Sequence, residues 1–305
     1  MKKITVVGGM NVDIEGNPYG QINHGASNPG TLAMSFSGTG LDIAKNLALL
    51  GDKVVFAGLA GDDSPGKMGK VELAELGVDV SKMKFVPEHN TPMILEIRNI
   101  MDDLEMAFGN ADVMEKMDKA FLEDAMDEMK SSALVAVDGN LNEEALAYLF
   151  DELQDVPVFF DPENPQKAAR AKEYIGKFYM IKPNRLEAEA ITGMEILSEE
   201  QLYAAGDWFA EKGVKKIFIS LSGGGVFYRE GDKAGILRPK NIVMKNTIGA
   251  GDTFSAALIH GELKGLDIEA LANYAMAASE IKLETKEAVN PRLSEEEIAE
   301  RMKNE

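Results

Sequence analysis

A doubly wound α/β core of three layers, with a small β lid set into it, is the fold this sequence predicts. Short β-rich runs alternate with helical patterns almost from end to end. The strand-like runs are nearly continuous in apolar residues, as parallel strands covered on both faces are. Two further segments carry no helical period at all. The 305 residues are enough for one large core with an insertion, and we expect a single domain over 1–305.

KITVVGG (3–9) is the first strand, LDIAKNLALLG (41–51) the helix that follows, and KVVFAGLAG (53–61) the next strand, with a helix running to about Leu76. After the middle of the chain come ALVAVDGN (133–140), the helix EEALAYLFDEL (143–153), PVFFDP (157–162), a helix near Lys167, YMIKPN (179–184), the helix RLEAEAITG (185–193) and KKIFISLSGGGVFYRE (215–230). The two interruptions, about 13–36 and 91–110, are turn-rich or alternating and predict antiparallel strands forming the lid. The last forty residues predict helix, ending in the acidic LSEEEIAERMKNE.

Composition removes several classes of function. There is no cysteine, so disulfides, thiolate metal sites and cysteine nucleophiles are excluded. Three histidines, His24, His89 and His260, argue against a multi-histidine metal centre. A formal charge of −19 argues against nucleic acid as a partner, because displacing counterions needs a basic surface. No apolar run is long enough for a membrane span, and MKKITVVGGMNVD turns polar too early for a signal peptide, which predicts a cytoplasmic protein with no membrane partner. Any phosphate must be held by local donors.

Residues 246–261, NTIGAGDTFSAALIHG, set Gly249, Ala250 and Gly251 before Asp252 and start a helix at once. Small residues at a helix start leave backbone N–H groups uncovered, where the helix dipole favours negative charge. A phosphoryl group in transfer suits that cradle, and Asp252 in the first turn is placed to take a proton from an attacking hydroxyl. Alone, the same residues make a tight loop with an acidic cap. In SLSGGGVFYRE, the turn Ser222-Gly223-Gly224-Gly225 lets a nucleotide phosphate approach backbone, or makes a plain hairpin. Neither loop has the Walker pattern GxxxxGK[ST], and neither opens a dinucleotide-binding unit.

Asn11 and Asp13 follow the first strand, alternate onto one side, and pair an amide with a carboxylate, which suits sugar hydroxyls and equally suits a turn. Gly38 and Gly40 precede a helix carrying Asp42 and Asn46, which share a face at i and i+4. Asn184 and Glu187 stand three apart at a helix start. They form either a capping box or a pair that orients Mg²⁺-bound waters.

In this order along one chain, the Gly38 motif, the Asn184 to Glu187 run, the loop at 223–225 and the sequence Gly249-Ala250-Gly251-Asp252 resemble the ribokinase-like (PfkB) family of carbohydrate and nucleoside kinases. The resemblance covers essentially the whole length. It implies ATP-dependent phosphorylation of a hydroxyl, with Asp252 as general base and Gly249, Ala250 and Gly251 as the anion hole. It further implies Mg²⁺ held through water by Glu187 beside Asn184, and the nucleotide held by Ser222, Gly223, Gly225 and Asn273. Asn11, Asp13, Gly38, Thr39, Gly40, Asp42, Asn46 and Asp138 then face the sugar, and a homodimer forms through the lid sheets.

GGMNVDIEG, ASNPGTLAMSFSGTG, VPVFFDP and IKPNRLEAEAITG resemble the bacterial pseudouridine kinases within that family. That likeness implies pseudouridine as acceptor, with Ser27 and Asn28 of the SNPG stretch recognising the base. Other ribosyl acceptors (uridine, cytidine, adenosine, ribose or a sugar phosphate) stand as alternatives, as does a non-catalytic nucleoside sensor. Two departures matter. Asp42 stands where many members have Asn, and Asn246 stands where many have an aspartate that helps hold a monovalent cation, which weakens the expectation of such a cation here.

Overall fold

The computed structural model describes residues 2–221, 223, 225–239 and 245–303. The predicted nucleotide contact Ser222 lies outside them. Each strand of the central sheet alternates its side chains between two apolar layers. In β1 (Lys3–Gly9), Ile4 and Val6 enter one layer and Val7 the other. β1 lies between β4 (Lys53–Gly61) and β8 (Leu134–Asp138). The sheet continues parallel through β9 (Val158–Asp161), β10 (Met180–Ile181) and β11 (Lys216–Ser220), and closes antiparallel with β12 (Val226–Glu230) and β13 (Lys233–Leu237). At the far side β5 (Lys84–Val86) pairs with β4.

Helices α1 (Thr39–Leu49), α8 (Ala250–Leu263) and α9 (Ile268–Leu283) cover one face through Leu41, Leu47, Leu258 and Leu271. The other face carries α3 (Lys119–Lys130), α4 (Glu143–Glu152), α6 (Arg185–Thr192) and α7 (Glu199–Lys212) through Leu122, Leu149, Ile191 and Phe209. The predicted three-layer order is what forms. Strand order extends in both directions from β1, so the carboxyl ends of β1 and β8 open a crevice at the switch point, where open α/β sheets bind ligands.

The two segments without helical period form a second, four-stranded sheet in the order β3 (Gly30–Ser37), β2 (Asn11–Pro18), β6 (Met93–Arg98), β7 (Leu104–Asn110). It corrects one expectation: β2 and β6 run parallel. Only β2–β3 and β6–β7 are hairpins whose turns impose antiparallel pairing, and the contact between the two hairpins is free of that constraint. The C-terminal region also departs from continuous helix. After α9 the chain turns through 284–294 before α10 (Glu295–Lys303), and the Asn290 side chain donates to the Ile281 carbonyl at 2.7 Å. No helix among the described residues is long and apolar enough to cross a membrane.

Candidate active site

The crevice floor is made by close backbone approach. A Cβ on Gly40 would come within 2.6 Å of the Gly8 Cα. One on Gly38, whose φ is 127°, would come within 2.8 Å of the Gly9 carbonyl oxygen. These glycines therefore seat the start of α1 directly on the end of β1. Beneath them Asp138 is buried, and its carboxylate accepts from the Gly9 amide at 2.7 Å and the Asn140 amide at 3.0 Å. It braces the floor from below and does not line the opening.

Asn11 and Asp13 do meet, as their alternation predicts: the Asn11 amide donates to Asp13 at 2.5 Å. Burial raises the Asp13 pKa, against the pull of that hydrogen bond. Asp42 is buried behind them, accepts from the Ser37 hydroxyl at 2.6 Å, and is pushed up to about 6 by burial. One of its oxygens, Oδ1, has no hydrogen-bond partner among the described residues. Asn46 shares its face but points elsewhere. It donates to the Asp42 carbonyl at 2.7 Å and accepts from Thr253 at 3.3 Å, which ties α1 to α8.

The cradle loop ends in Gly249, whose φ of 79° is left-handed and whose missing side chain leaves room for the Ala288 carbonyl. The structure adjusts which amides are open. The Ala250 amide donates back to Thr247 at 3.2 Å, whereas those of Gly249, Gly251 and Asp252 have no acceptor among the described residues. Asp252 is half-buried at this helix start. Its pKa stands well above the usual aspartate value, first through burial, then through the Asp42 and Asp161 carboxylates, with Lys182 pulling it down.

Lys182 is the principal residue that sequence reasoning left out. It closes the apolar run YMI, and its ammonium pairs with Asp161 at 3.0 Å, both side chains being buried. Asp161 also accepts from Ser255 of α8 at 2.8 Å. The Lys182 ammonium faces Gly251, so it borders the cradle. Its signal was present in the sequence: a lysine between a buried strand and the Asn184 cap has no surface to occupy. Asn184 and Glu187 form a full capping box, with Asn184 N–H to Glu187 at 2.8 Å and Glu187 N–H to Asn184 at 3.0 Å. Glu187 is nevertheless pushed up to about 7, by burial and then by Asp161, so the structural role coexists with a strained negative charge.

The cleft between floor and second sheet is lined by Asn11, Gly38, Thr39, Ile94, Asn140 and Lys167, with Glu163 at its edge. Lys167 donates to Asn140 and to Glu163, each at 2.6 Å. Burial, followed by the Asp138 charge, pushes Glu163 up to about 7. Asn140 lies in the turn after β8, whereas Glu163 and Lys167 stand one helical turn apart after β9, so no single local motif joins all three. A second recess of about 330 Å³ shares Asn140 and Lys167 with the first and adds Glu115, Asn142 and Arg170.

Two groups of expected residues lie away from the cleft. Ser27 and Asn28 are exposed in the β2–β3 connection, and Asn28 closes its own turn by accepting from the Asn23 amide at 2.7 Å and donating to the Ala26 carbonyl at 3.1 Å. That short polar side chain answers to its own backbone first, and neither residue lines the cleft. Asn273 is held within α9 by the Glu269 carbonyl at 2.9 Å. Gly223 and Gly225 lie at the turn after β11, where Gly223 takes a φ of 84°.

Residues 1–295 match the description pfkB family carbohydrate kinase. The chain is 29% identical over 292 residues to the pseudouridine kinase of Escherichia coli (strain K12), covering 95% of this chain and 93% of that one. It is 31% identical to the uncharacterized sugar kinase YeiI of the same organism, covering 95% and 80%. Its fold superposes on an Arabidopsis thaliana ribokinase complexed with ribose and ATP with a TM-score of 0.84, at 20% identity and 99% coverage of both chains.

Proposed function

This chain belongs to the pfkB family of carbohydrate kinases and is an ATP-dependent kinase of a sugar or nucleoside, and from that footing we propose that its acceptor is pseudouridine, phosphorylated on the 5′-hydroxyl. The observation that carries the reading is the continuity of the two recesses. A pentose fills the part over Gly38 and Asn11, and the adjoining space offers Asn140, Asn142, Lys167 and Arg170 as donors with Glu115 as an acceptor. A uracil ring presents both carbonyl acceptors and N–H donors, and this mixture complements it. Base recognition thus moves from the SNPG turn to the loops after β8 and β9. The 29% identity to a pseudouridine kinase over nearly the full length supports the same choice.

In this reading Asp252 accepts the hydroxyl proton as the oxygen attacks the γ-phosphorus and ADP leaves. The amides of Gly251 and Asp252, with the Lys182 ammonium beside them, face the phosphoryl oxygens. Glu187 and Asn184 fit a hydrated Mg²⁺, since the buried carboxylates of Glu187, Asp161 and Glu163 repel one another and lack a full counter-charge. Such an ion, when bound, neutralises charge on the transferred group. The second sheet acts as a lid that keeps water from the phosphoryl donor.

An ADP-release assay with MgATP and parallel pseudouridine, uridine, cytidine, adenosine and ribose tests the acceptor. Pseudouridine is expected to lead in kcat/KM. Lys167→Met should raise its KM by about tenfold while leaving KM for ribose nearly unchanged, the effect of one charged hydrogen bond to the base. A lead by ribose, or equal losses for both acceptors, would exclude base recognition by this recess.

We also propose that the protein is a homodimer through the outer face of the second sheet. The register puts Leu32, Gly16, Ile97 and Met106 in one row and Met34, Ile14, Leu95 and Phe108 in the next, all on one face. Asp13 and Ile94 point to the other side, toward the cleft. Leu32, Met34, Met106 and Phe108 are exposed in the single chain, an apolar patch that pairing would cover. Light scattering should give twice the 33.1 kDa chain mass, and Phe108→Asp should return it to one. A monomeric wild type would remove the interface.

A further inference from the structure

Lys282 is a lysine that the phosphoryl-transfer reading leaves without a task. It sits in the last turn of α9, fully buried, and its ammonium donates to the Asn246 carbonyl at 2.9 Å. Asn246 begins the loop that runs into the cradle, three residues before Gly249. Burying an ammonium is costly unless its charge is used, and a methionine of similar length would fill the same space at lower cost. The charge therefore has a partner to answer. The carboxylates facing it come from three elements: Asp42 on α1, Asp252 on α8, and Glu287 in the turn after α9. Burial draws its pKa below the usual lysine value while these carboxylates oppose the shift.

The same loop is unsuited to a free monovalent cation. The Asn246 side chain carries no charge, its amide donates to the Lys286 carbonyl at 2.7 Å, and its oxygen accepts from the Ile248 amide at 2.9 Å. The Asn246 carbonyl already receives the Lys282 ammonium. The remaining ties are neutral: Lys245 N–H to the Leu283 carbonyl at 2.9 Å and the Ser279 hydroxyl to the Ala250 carbonyl at 3.1 Å.

We propose that Lys282 is a positioning residue that serves as the cradle's tethered monovalent cation, so that phosphoryl transfer by this protein needs no added K⁺ or Na⁺. The ammonium fixes the Asn246 carbonyl and with it the path of 246–251, which sets the Gly251 and Asp252 amides toward the phosphoryl group. It also offsets the negative field of Asp42 and Asp252 from the protein side. Substrate contacts are not involved, so its loss acts on turnover more than on acceptor affinity.

This inference rests on the kinase reading, and the full-length wild type separates the two before any variant is made. With MgATP and its best acceptor in a tetramethylammonium buffer, wild-type kcat is expected to change less than about twofold when KCl is added. A rate that depends strongly on K⁺ overturns the role of Lys282 and leaves the kinase intact, whereas silence with every acceptor removes the kinase itself. Lys282→Ala, which opens the side chain's space to an ion, should then lower kcat by about 10- to 100-fold in the same buffer, as a misplaced cradle would, with acceptor KM little changed. K⁺ or ammonium should restore much of that loss. A loss that neither ion restores assigns Lys282 to packing alone and overturns the proposal, as does an unchanged kcat. Should the variant not fold, the wild-type salt response still decides.

Discussion

Asp252→Asn is expected to lower kcat by about 10²–10⁴ with little change in acceptor KM, the range for loss of a general base. The substitution keeps size and helix position and removes only the proton acceptor. The wild-type pH profile carries the same information. Burial and the neighbouring carboxylates hold the Asp252 pKa well above the usual aspartate value, and the active form is the ionised one. Activity should therefore fall on the acid side at a higher pH than an ordinary aspartate allows. Near-full turnover by the Asn variant would take Asp252 out of the chemistry. Stability has the opposite trend in the ligand-free protein. The folded-state pKa values of Glu187 and Glu163 are raised from 4.5 to about 7, so the stability they contribute is present below the unfolded value and lost as pH rises through about 7.

Lys182→Met is expected to cost about 3–5 kcal/mol of stability, because it leaves the buried Asp161 charge without its ion-pair partner. Asp161 would retain the Ser255 hydrogen bond but would face Glu187 and Glu163 unopposed. Denaturant melts of the variant measure the loss, and adding Asp161→Asn should recover part of it by removing the stranded charge. A loss below about 1 kcal/mol would mean that the pair behaves as a surface salt bridge, open to water. Turnover should also drop, since the ammonium borders Gly251.

How far the site could be read from the sequence follows the range of the interactions involved. Asn184 and Glu187 announce a capping box because both partners lie within one helical turn. Gly249 and the acid three residues on announce a helix start for the same reason. Asn28 shows the limit of such reading: its chemistry suits a base, yet its own turn captures the side chain. Glu163 and Lys167 are neighbours four residues apart, but Asn140 joins them only when β8 and β9 pair.

The sequence by itself determined the α/β class, the two helix-free segments, and the order of motifs along the chain, since these depend on periodicity and on turn chemistry within a few residues. The tertiary structure alone decided the parallel contact between the two hairpins, the face of the second sheet turned to the cleft, and the amides left open at the cradle. It also decided that Lys182 meets Asp161 beside that cradle and that Lys282 is buried beneath it. Each of these depends on which distant segments pack together, and the local pattern of a chain does not contain its long-range contacts.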